Sequence, residues 1–349
     1  MDLKTQSCDT MFNDIMCAQN SPRRRPTLKD VANQAGVSIM SVSLAIRSSD
    51  DSRRVSLETR RRVLDAVQEL GYRPDARARA LRLRQTNVIG FYAGYGWINV
   101  RIPFYAESIS GLQIGCELVE KNLLLHSLSR NAASEEVYFE LIGGSVDGLV
   151  VAMPPTDPLA ARLASDHLPV VAIADPLPGI PSVVVDDAAG ARMIAEHISE
   201  LGHRSVVFAA GPALPISGKI RQQAFIEAAM SQGMEVVVRS LGDDSKIPEF
   251  VACAHRDRTT AIVAWNDIDA RRILAGCRIA GLDVPGELAI VGFDGCTVPF
   301  VDPFPLTTIR APWSEVAQES VMVLDRLIRN EPYDMHTVLP VQFVRGATT

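Results

Sequence analysis

The chain has 349 residues, 47% of them hydrophobic and 22% charged, with a net charge of −6. That length asks for more than one domain, and the composition is that of a globular protein, not a disordered or collagen-like one. The longest apolar runs, such as SVDGLVVAM, are far shorter than a membrane span. The N-terminal MDLKTQSCDTMFNDIMCAQN is broken by Asp2, Asp9 and Asp14 where a signal peptide would be apolar, so the expected compartment is the cytoplasm, with no membrane partner. Six cysteines, at 8, 17, 116, 253, 277 and 296, form no CxxC pair and no Cys/His cluster. Neither a metal site, a cofactor nor a disulfide framework is expected.

The overall charge hides an asymmetry. Residues 22–85 carry 15 Lys and Arg against 7 Asp and Glu, whereas residues 86–349 carry 19 against 31. A compact basic module ahead of a large acidic one points to a polyanion as partner of the first alone, although a solvated basic surface gives the same count.

In chain order, residues 1–25 are expected to be a disordered extension, with Met11 and Met16 as alternative starts. A small helical domain is expected over residues 26–74. In PTLKDVANQAGVSIMSVSLAI, Thr27 can cap a helix that puts Leu28, Val31, Ala32 and Ala35 on one face; Gly36 supplies a left-handed turn, and Ser38 can cap a second helix. That layout is a helix-turn-helix. In the second helix Val42, Ala45 and Ile46 form a narrow apolar stripe, while Met40, Leu44 and Arg47 point the other way, with Ile39 and Ser43 beside them. Large apolar side chains on an open face are unexpected for a helix that only covers a core, but they can meet thymine methyl groups in a major groove. A third helix is predicted in SLETRRRVLDAVQELGY, with Ser56 as its cap, Val63, Leu64, Val67 and Leu70 as its buried stripe and Gly71 as its stop. Arg60, Arg61 and Arg62 read as a solvated or phosphate-facing surface.

Pro74 then breaks the chain before RARALRLR, residues 77–84. Alternation of basic and apolar letters reads as a half-buried strand, whereas a helical reading brings Ala78, Leu81 and Arg82 to one face. From Asn87 onward short apolar runs (VIGFYA, LLLHSL, GLVVAM, PVVAIAD, SVVVDD, SVVFAAG, AIVAWND, LAIVGFDG) alternate with amphipathic helical segments. Such βα repeats make parallel sheets covered by helices, and two groups of strands suggest two lobes. Ligands in open α/β sheets bind beyond the carboxyl ends of the strands. Those ends carry Asp175, Asp186, Asp187, Asn266, Asp267 and Asp294, each of which alone would be an ordinary turn or cap residue. An aromatic wall is on offer from Tyr92, Tyr95, Trp97, Phe104, Trp265 and Phe293, with part of it expected in the core; Trp313 reads as interface or crossover packing, and Arg101 as a further pocket candidate.

Enzymatic constellations are lacking. GPALPISGKI follows a strand and precedes a helix as a phosphate loop would, but Gly211 and Gly218 are too far apart and Ile220 stands where a metal-binding Ser or Thr is needed. There is no GxSxG elbow and no GxGxxG after a strand. His197 and His203 read as packing or solvated residues, and Cys296 as a small apolar filler.

Taken in order and spacing, TLKDVANQAGVS, VSLETRRRVLDAVQELGYRP and DARARALRLRQTNVIGF resemble the N-terminus of lactose-repressor-type (LacI/GalR) transcription regulators, and the likeness extends from about Pro26 to the C-terminus. The resemblance implies an all-α helix-turn-helix DNA-binding domain followed by an α/β two-lobed periplasmic-binding-protein-like domain. It implies a homodimer on a palindromic double-stranded operator, controlled by a small effector, commonly a sugar, and usually repressing. It also resolves the reading of residues 75–85 as a hinge helix that forms on the operator, with Leu81 wedged into the minor groove. The DNA-contacting set implied is Thr27, Ser38, Ile39, Met40, Ser41, Ser43, Leu44 and Arg47, with Arg77, Ala78, Arg79, Leu81 and Arg82 from the hinge. Residues 86–349 become the effector and dimerisation domain. Arg221, Asn266 and Asp294 hold the effector there, with Tyr92, Tyr95, Phe104 and Trp265 as neighbours.

Three departures from the family pattern stand out. Leu44 occupies a position where an arginine is usual, and Arg47 one where asparagine is common. The RSSDDSRR connection is longer than usual, and residues 1–25 have no counterpart. The competing readings are a sugar-binding protein of the periplasmic type without DNA-binding function and, behind it, a sugar-processing enzyme.

Overall fold

A computed structural model describes residues 25–46, 55–74, 80, 85–96, 98–126, 133–296 and 304–349. It divides into two units, one up to Arg84 and one from Gln85 onward.

The first unit contains the helices α1 (Leu28–Ala35), α2 (Ile39–Ile46) and α3 (Leu57–Leu70). Thr27 starts α1 with a reciprocal capping box: its hydroxyl accepts from the Asp30 backbone N–H, and the Asp30 carboxylate accepts from the Thr27 N–H at 2.7 Å. Two of the helix's unpaired N-terminal donors are satisfied in this way. Gly36 then turns the chain at φ 62°, a conformation that a side chain would strain. Ser38 accepts from the Ser41 N–H at 3.1 Å to open α2, and Ser56 and Gly71 bound α3. Val31, Ala32, Ala35, Val42, Ala45, Val63, Ala66 and Tyr72 form the core.

One expectation is corrected here and another is extended. The buried stripe of α3 runs through Val63, Ala66, Val67 and Leu70, spaced i, i+3, i+4 and i+7, while Leu64, one residue round the helix, is 47% exposed. Arg62 is exposed, as expected, and is also tied to the neighbouring helix. Its Nη2 donates to the Ala35 and Gly36 carbonyls, placing a cation on the C-terminal end of α1, where the helix dipole favours one.

In the second unit, the N-lobe is a six-stranded sheet built from β1 (Val88–Ala93), β2 (Asn122–Leu125), β3 (Gly148–Ala152), β4 (Val170–Ile173), β5 (Ser182–Val185) and β11 (His336–Leu339). Their order is β11-β5-β4-β3-β1-β2 and every pair is parallel. The C-lobe sheet, β7-β6-β8-β9, is also parallel and uses β6 (Ser205–Ala210), β7 (Glu235–Ser240), β8 (Ala261–Ala264) and β9 (Ala289–Val291). A two-stranded antiparallel ribbon, β10 (Thr308–Arg310) with β12 (Gln342–Val344), lies where the chain passes between the lobes. Helices α4 (Pro103–Leu118), α5 (Ser134–Ile142), α6 (Pro158–Ala164) and α11 (Trp313–Ile328) cover the first sheet. Helices α7 (Asp187–Glu200), α8 (Ile216–Ser231), α9 (Ile247–Arg256) and α10 (Asp267–Ala280) cover the second.

Strands β3, β4, β5 and β8 are buried along their whole length, as continuous Val/Ile/Ala runs in a doubly covered parallel sheet must be. The chain crosses between lobes three times, from β5 to α7, from β10 to α11 and from β11 to β12. Helix α11 rests on α4 closely enough that a Cβ on Gly111 would stand 1.9 Å from the Ser314 carbonyl oxygen.

Candidate functional site

On the first unit, the residues expected to read a base sequence lie on α2 and at the helix starts. Ile39 and Met40 are 51% and 74% exposed, although nothing in the small core needs them there. Ser38 is exposed, and Ser41, Ser43 and Leu44 are half-buried along the same helix. Thr27 and Ser38 already serve as caps, so each fixes the orientation of a helix start whatever else it meets. Arg47, the hinge residues Arg77, Ala78, Arg79, Leu81 and Arg82, and the candidate Trp97 lie outside the described residues.

Within the second unit a cavity of about 280 Å³ opens between the two lobes at the carboxyl ends of the strands. Tyr95, Phe104, Arg221, Trp265, Asn266 and Asp294, scattered over 200 positions of sequence, all line it. Tyr92 does not. On β1, Ile89, Phe91 and Ala93 face the main core while Val88 and Tyr92 face the layer of α5 and α6, so strand alternation turns Tyr92 away from the cleft. Arg101 is exposed and is not among the lining residues.

Arg221, on the second turn of α8 and only 3% exposed, organises the C-lobe side. Its Nε donates to Asp187 at 2.7 Å, its Nη1 donates to the Trp265 carbonyl at 3.0 Å and to Asp294 at 3.2 Å, and the guanidinium lies 3.7 Å over the Phe293 ring. Phe293 is thus a floor under the arginine and not a wall of the cavity. Asp294 sits at φ 122°, a strained backbone for a non-glycine residue, held there by its N–H donating to the Ile309 carbonyl and its own carbonyl accepting from Ala311. Burial, with Asp267 and Asp187 nearby and only partial relief from Arg221, pushes the Asp294 carboxyl up to about 7. Burial likewise raises Asp187 and Asp267 from the ordinary carboxylate range. Asp267 accepts from the Thr308 hydroxyl at 2.6 Å and the Gly295 N–H at 2.9 Å, tying the AWND turn to the crossover ribbon.

The N-lobe contributes Asp175. Ala174 before it has φ 69°, so both carboxylates that reach the cleft are aimed by strained backbone, a pattern typical of ligand sites. Asp175 accepts from the Ser217 N–H at 2.7 Å and the Ile216 N–H at 3.2 Å, and also from the Tyr95 hydroxyl. Helix α8 has Pro215 at its cap position and no side-chain cap of its own. A carboxylate from one lobe therefore caps a helix of the other, where the helix dipole favours negative charge.

Trp265 explains the glycines of GPALPISGKI. A Cβ on Gly211 or on Gly218 would stand 3.2 Å from the indole, so the two glycines leave the slot in which it lies. Its Nε1 donates to Asp269 at 2.7 Å, and Asn266 caps α10 by accepting from the Asp269 N–H at 2.8 Å. Trp313 is both crossover packing and cleft lining: it is 2% exposed and meets Phe104 edge to face at 5.0 Å. Sequence reasoning missed Tyr105, Ile102 and Ile268, which also line the cavity and follow strand ends or start helices, where a systematic reading of element ends would have met them. Among the described residues, no group of three His, Cys, Asp or Glu side chains could hold a metal ion, and no helix is long and apolar enough to cross a membrane.

Comparison with known proteins agrees with this architecture. Residues 27–75 match the family model for bacterial regulatory proteins of the lacI family, and residues 195–349 match that for a periplasmic binding protein-like domain. The HTH-type transcriptional regulator CelR of Thermobifida fusca is 32% identical over 339 residues, covering 92% of this chain and 96% of that one. A crystal structure of the Lac repressor dimer bound to operator and the anti-inducer ONPF is similar at a TM-score of 0.80 and 24% identity, over 93% of this chain and 99% of that one. A CelR–cellobiose complex is similar at a TM-score of 0.67 and 27% identity, over 93% of this chain and 100% of the other. With a relative at this identity matched over nearly its whole length, and the helix-turn-helix module matched in its own right, the chain belongs to the lacI family of bacterial regulatory proteins.

Proposed function

We propose that the protein is a cytoplasmic, sequence-specific DNA-binding regulator that acts as a homodimer on a palindromic operator and is controlled by a sugar or related small molecule. Residues 26–74 form the reading module, 75–85 the hinge helix and 86–349 the effector and dimerisation domain. The observation that carries the reading is α2: a helix behind a capped turn that leaves Ile39 and Met40 open to solvent in a basic domain. Lone exposed apolar residues are ordinary, but two adjacent ones at the start of the second helix of this motif stand where base edges are met. Thr27, Ser38, Ser41, Ser43, Leu44 and Arg47 complete that surface, and Arg77, Ala78, Arg79, Leu81 and Arg82 act in the minor groove. Tyr95, Phe104, Arg221, Trp265, Asn266 and Asp294 form the effector site, and the protein has no catalytic role.

A ligand that bridges the lobes changes their separation, and this sets whether two hinge segments can fold together on DNA. The test selects binding sites from random DNA with the full chain and measures affinity against salt concentration, with and without candidate sugars. A palindromic site bound far more tightly than random DNA, with affinity moved by a sugar, is the expected outcome. Equal affinity for all sequences would overturn it.

A further inference from the structure

Resting on the reading of the cleft as the effector site, we infer that its ligand is a single sugar ring without an acidic substituent: sugar acids, sugar phosphates and two-ring sugars are excluded. The first support is charge. Among the described residues that line the cavity, Arg221 is the one cation, and its Nε and Nη1 already donate to Asp187, Asp294 and the Trp265 carbonyl. Around it stand Asp175, Asp294, Asp187 and Asp267. An incoming carboxylate or phosphate would meet the Asp175 carboxylate and, among the described lining residues, find no cation besides the already paired Arg221. Hydroxyl groups find acceptors in Asp294 and Asp175, and an ammonium group is tolerated for the same reason.

The second support is the wall. Trp265, Trp313, Phe104, Tyr95 and Tyr105 offer apolar faces suited to the C–H faces of a pyranose or furanose ring. The Trp313 Nε1–H is buried and finds no acceptor among the described residues, so a ligand oxygen brought beside it would satisfy a donor that is costly to leave unpaired. The third support is size. A cavity of about 280 Å³ lies at the lower edge of the roughly 300–1,000 Å³ of small-molecule sites, which suits one ring with its waters.

The experiment titrates the full chain by calorimetry with matched sets: glucose, galactose, xylose and glucosamine; glucuronate, galacturonate and glucose 6-phosphate; cellobiose and lactose; and, as a control, adenine and guanine. The expected result is saturable binding of a neutral or amino monosaccharide, with its own uronate and phosphate bound ~10- to 100-fold more weakly, the cost of a mispaired charged group. Tight binding of an acidic sugar or a disaccharide would overturn this inference while leaving a sugar-responsive regulator intact. Binding of a purine base with no sugar bound would overturn the sugar reading itself, and this inference with it. Trp313→Phe supplies a second readout, since it keeps the ring packing and removes only the donor: the preferred monosaccharide should bind ~5- to 10-fold more weakly, and unchanged affinity would remove Trp313 from the site.

Discussion

Asp294 shows how one residue can carry strain, charge and recognition together. Its carboxyl is raised to about 7 in the folded protein, against an ordinary value near 3.8, chiefly by burial. Between those two values the folded state holds a proton that the unfolded chain has lost. This contribution to stability is therefore complete in acid and disappears as pH rises from about 4 to about 7, with no further loss above. Asp187 and Asp267 are raised by the same cause and act in the same direction. Asp294→Asn should flatten the fall in urea stability between pH 5 and 7.5 and abolish the effector response, while operator affinity stays within about twofold. A variant with the wild-type pH slope and the wild-type response would show that this carboxyl is neither strained by burial nor bound to ligand. Arg221→Ala is the less informative change, because it leaves two buried carboxylates uncompensated and should cost ~3–5 kcal/mol of stability before any ligand is added. At the proposed reading surface, Leu44→Arg should change the preferred half-site in selection from random DNA, because a bidentate donor would replace an apolar group at a position proposed to face the bases. The same selected sequence for both proteins would remove this position from direct readout.

At the scale of elements, the proposed hinge segment combines two separable chemistries. Leu81 exchanges no counterions, so Leu81→Ala should weaken binding to the palindrome and leave the salt slope and the affinity for random DNA nearly unchanged. Arg79→Ala should weaken binding to every sequence and lower the log–log salt slope by ~1. Salt titrations of both variants on both DNAs separate these outcomes, and an equal loss on both DNAs for Leu81→Ala would make the segment a charged linker. The helix caps were legible in the sequence because Thr27, Ser38, Ser56, Gly36 and Gly71 act locally, each within a few residues of its partner. The buried parallel strands were legible because their apolar runs are continuous. Strand β7, with Glu235 and Arg239 inside it, was missed since an exposed edge strand needs no such run; β10, β11 and β12 are short and owe their form to partners far off in sequence. Six of the seven residues implied as the effector site do meet in the cleft; the seventh, Tyr92, turned on a strand facing that only the packed sheet decides, and the further candidates Arg101 and Phe293 also stay out of the lining. Leu64 failed in the same way: one step of helical phase separates a core residue from a surface one.

At the scale of the effector domain, the carboxylate of Asp175 is a strap between lobes that could otherwise move on their three crossover strands. Removing a helix cap typically costs about 1 kcal/mol. Asp175→Ala should therefore shift the population toward open lobes, seen as a larger radius of gyration of the effector domain in solution scattering and a ligand affinity ~5-fold weaker. No change in either would mean that the lobes are held by other contacts alone.

The crossovers also fix an order of events during synthesis. Strand β11 completes the N-lobe sheet beside β5, and only after it come β12 and Thr348, whose carbonyl accepts from Ile290 at 2.8 Å and whose hydroxyl donates to the Ile290 carbonyl at 2.6 Å. Neither lobe can close its hydrogen bonding until the ribosome has added those last segments, whereas the capped helices α1, α2 and α3 share a core drawn from their own stretch of chain and can fold around it as they emerge. A nascent chain thus gains its DNA-reading surface first and its ligand control last. A transcript cut short before His336 would yield a protein with an intact reading head and two unfinished lobes, fit mainly for proteolysis.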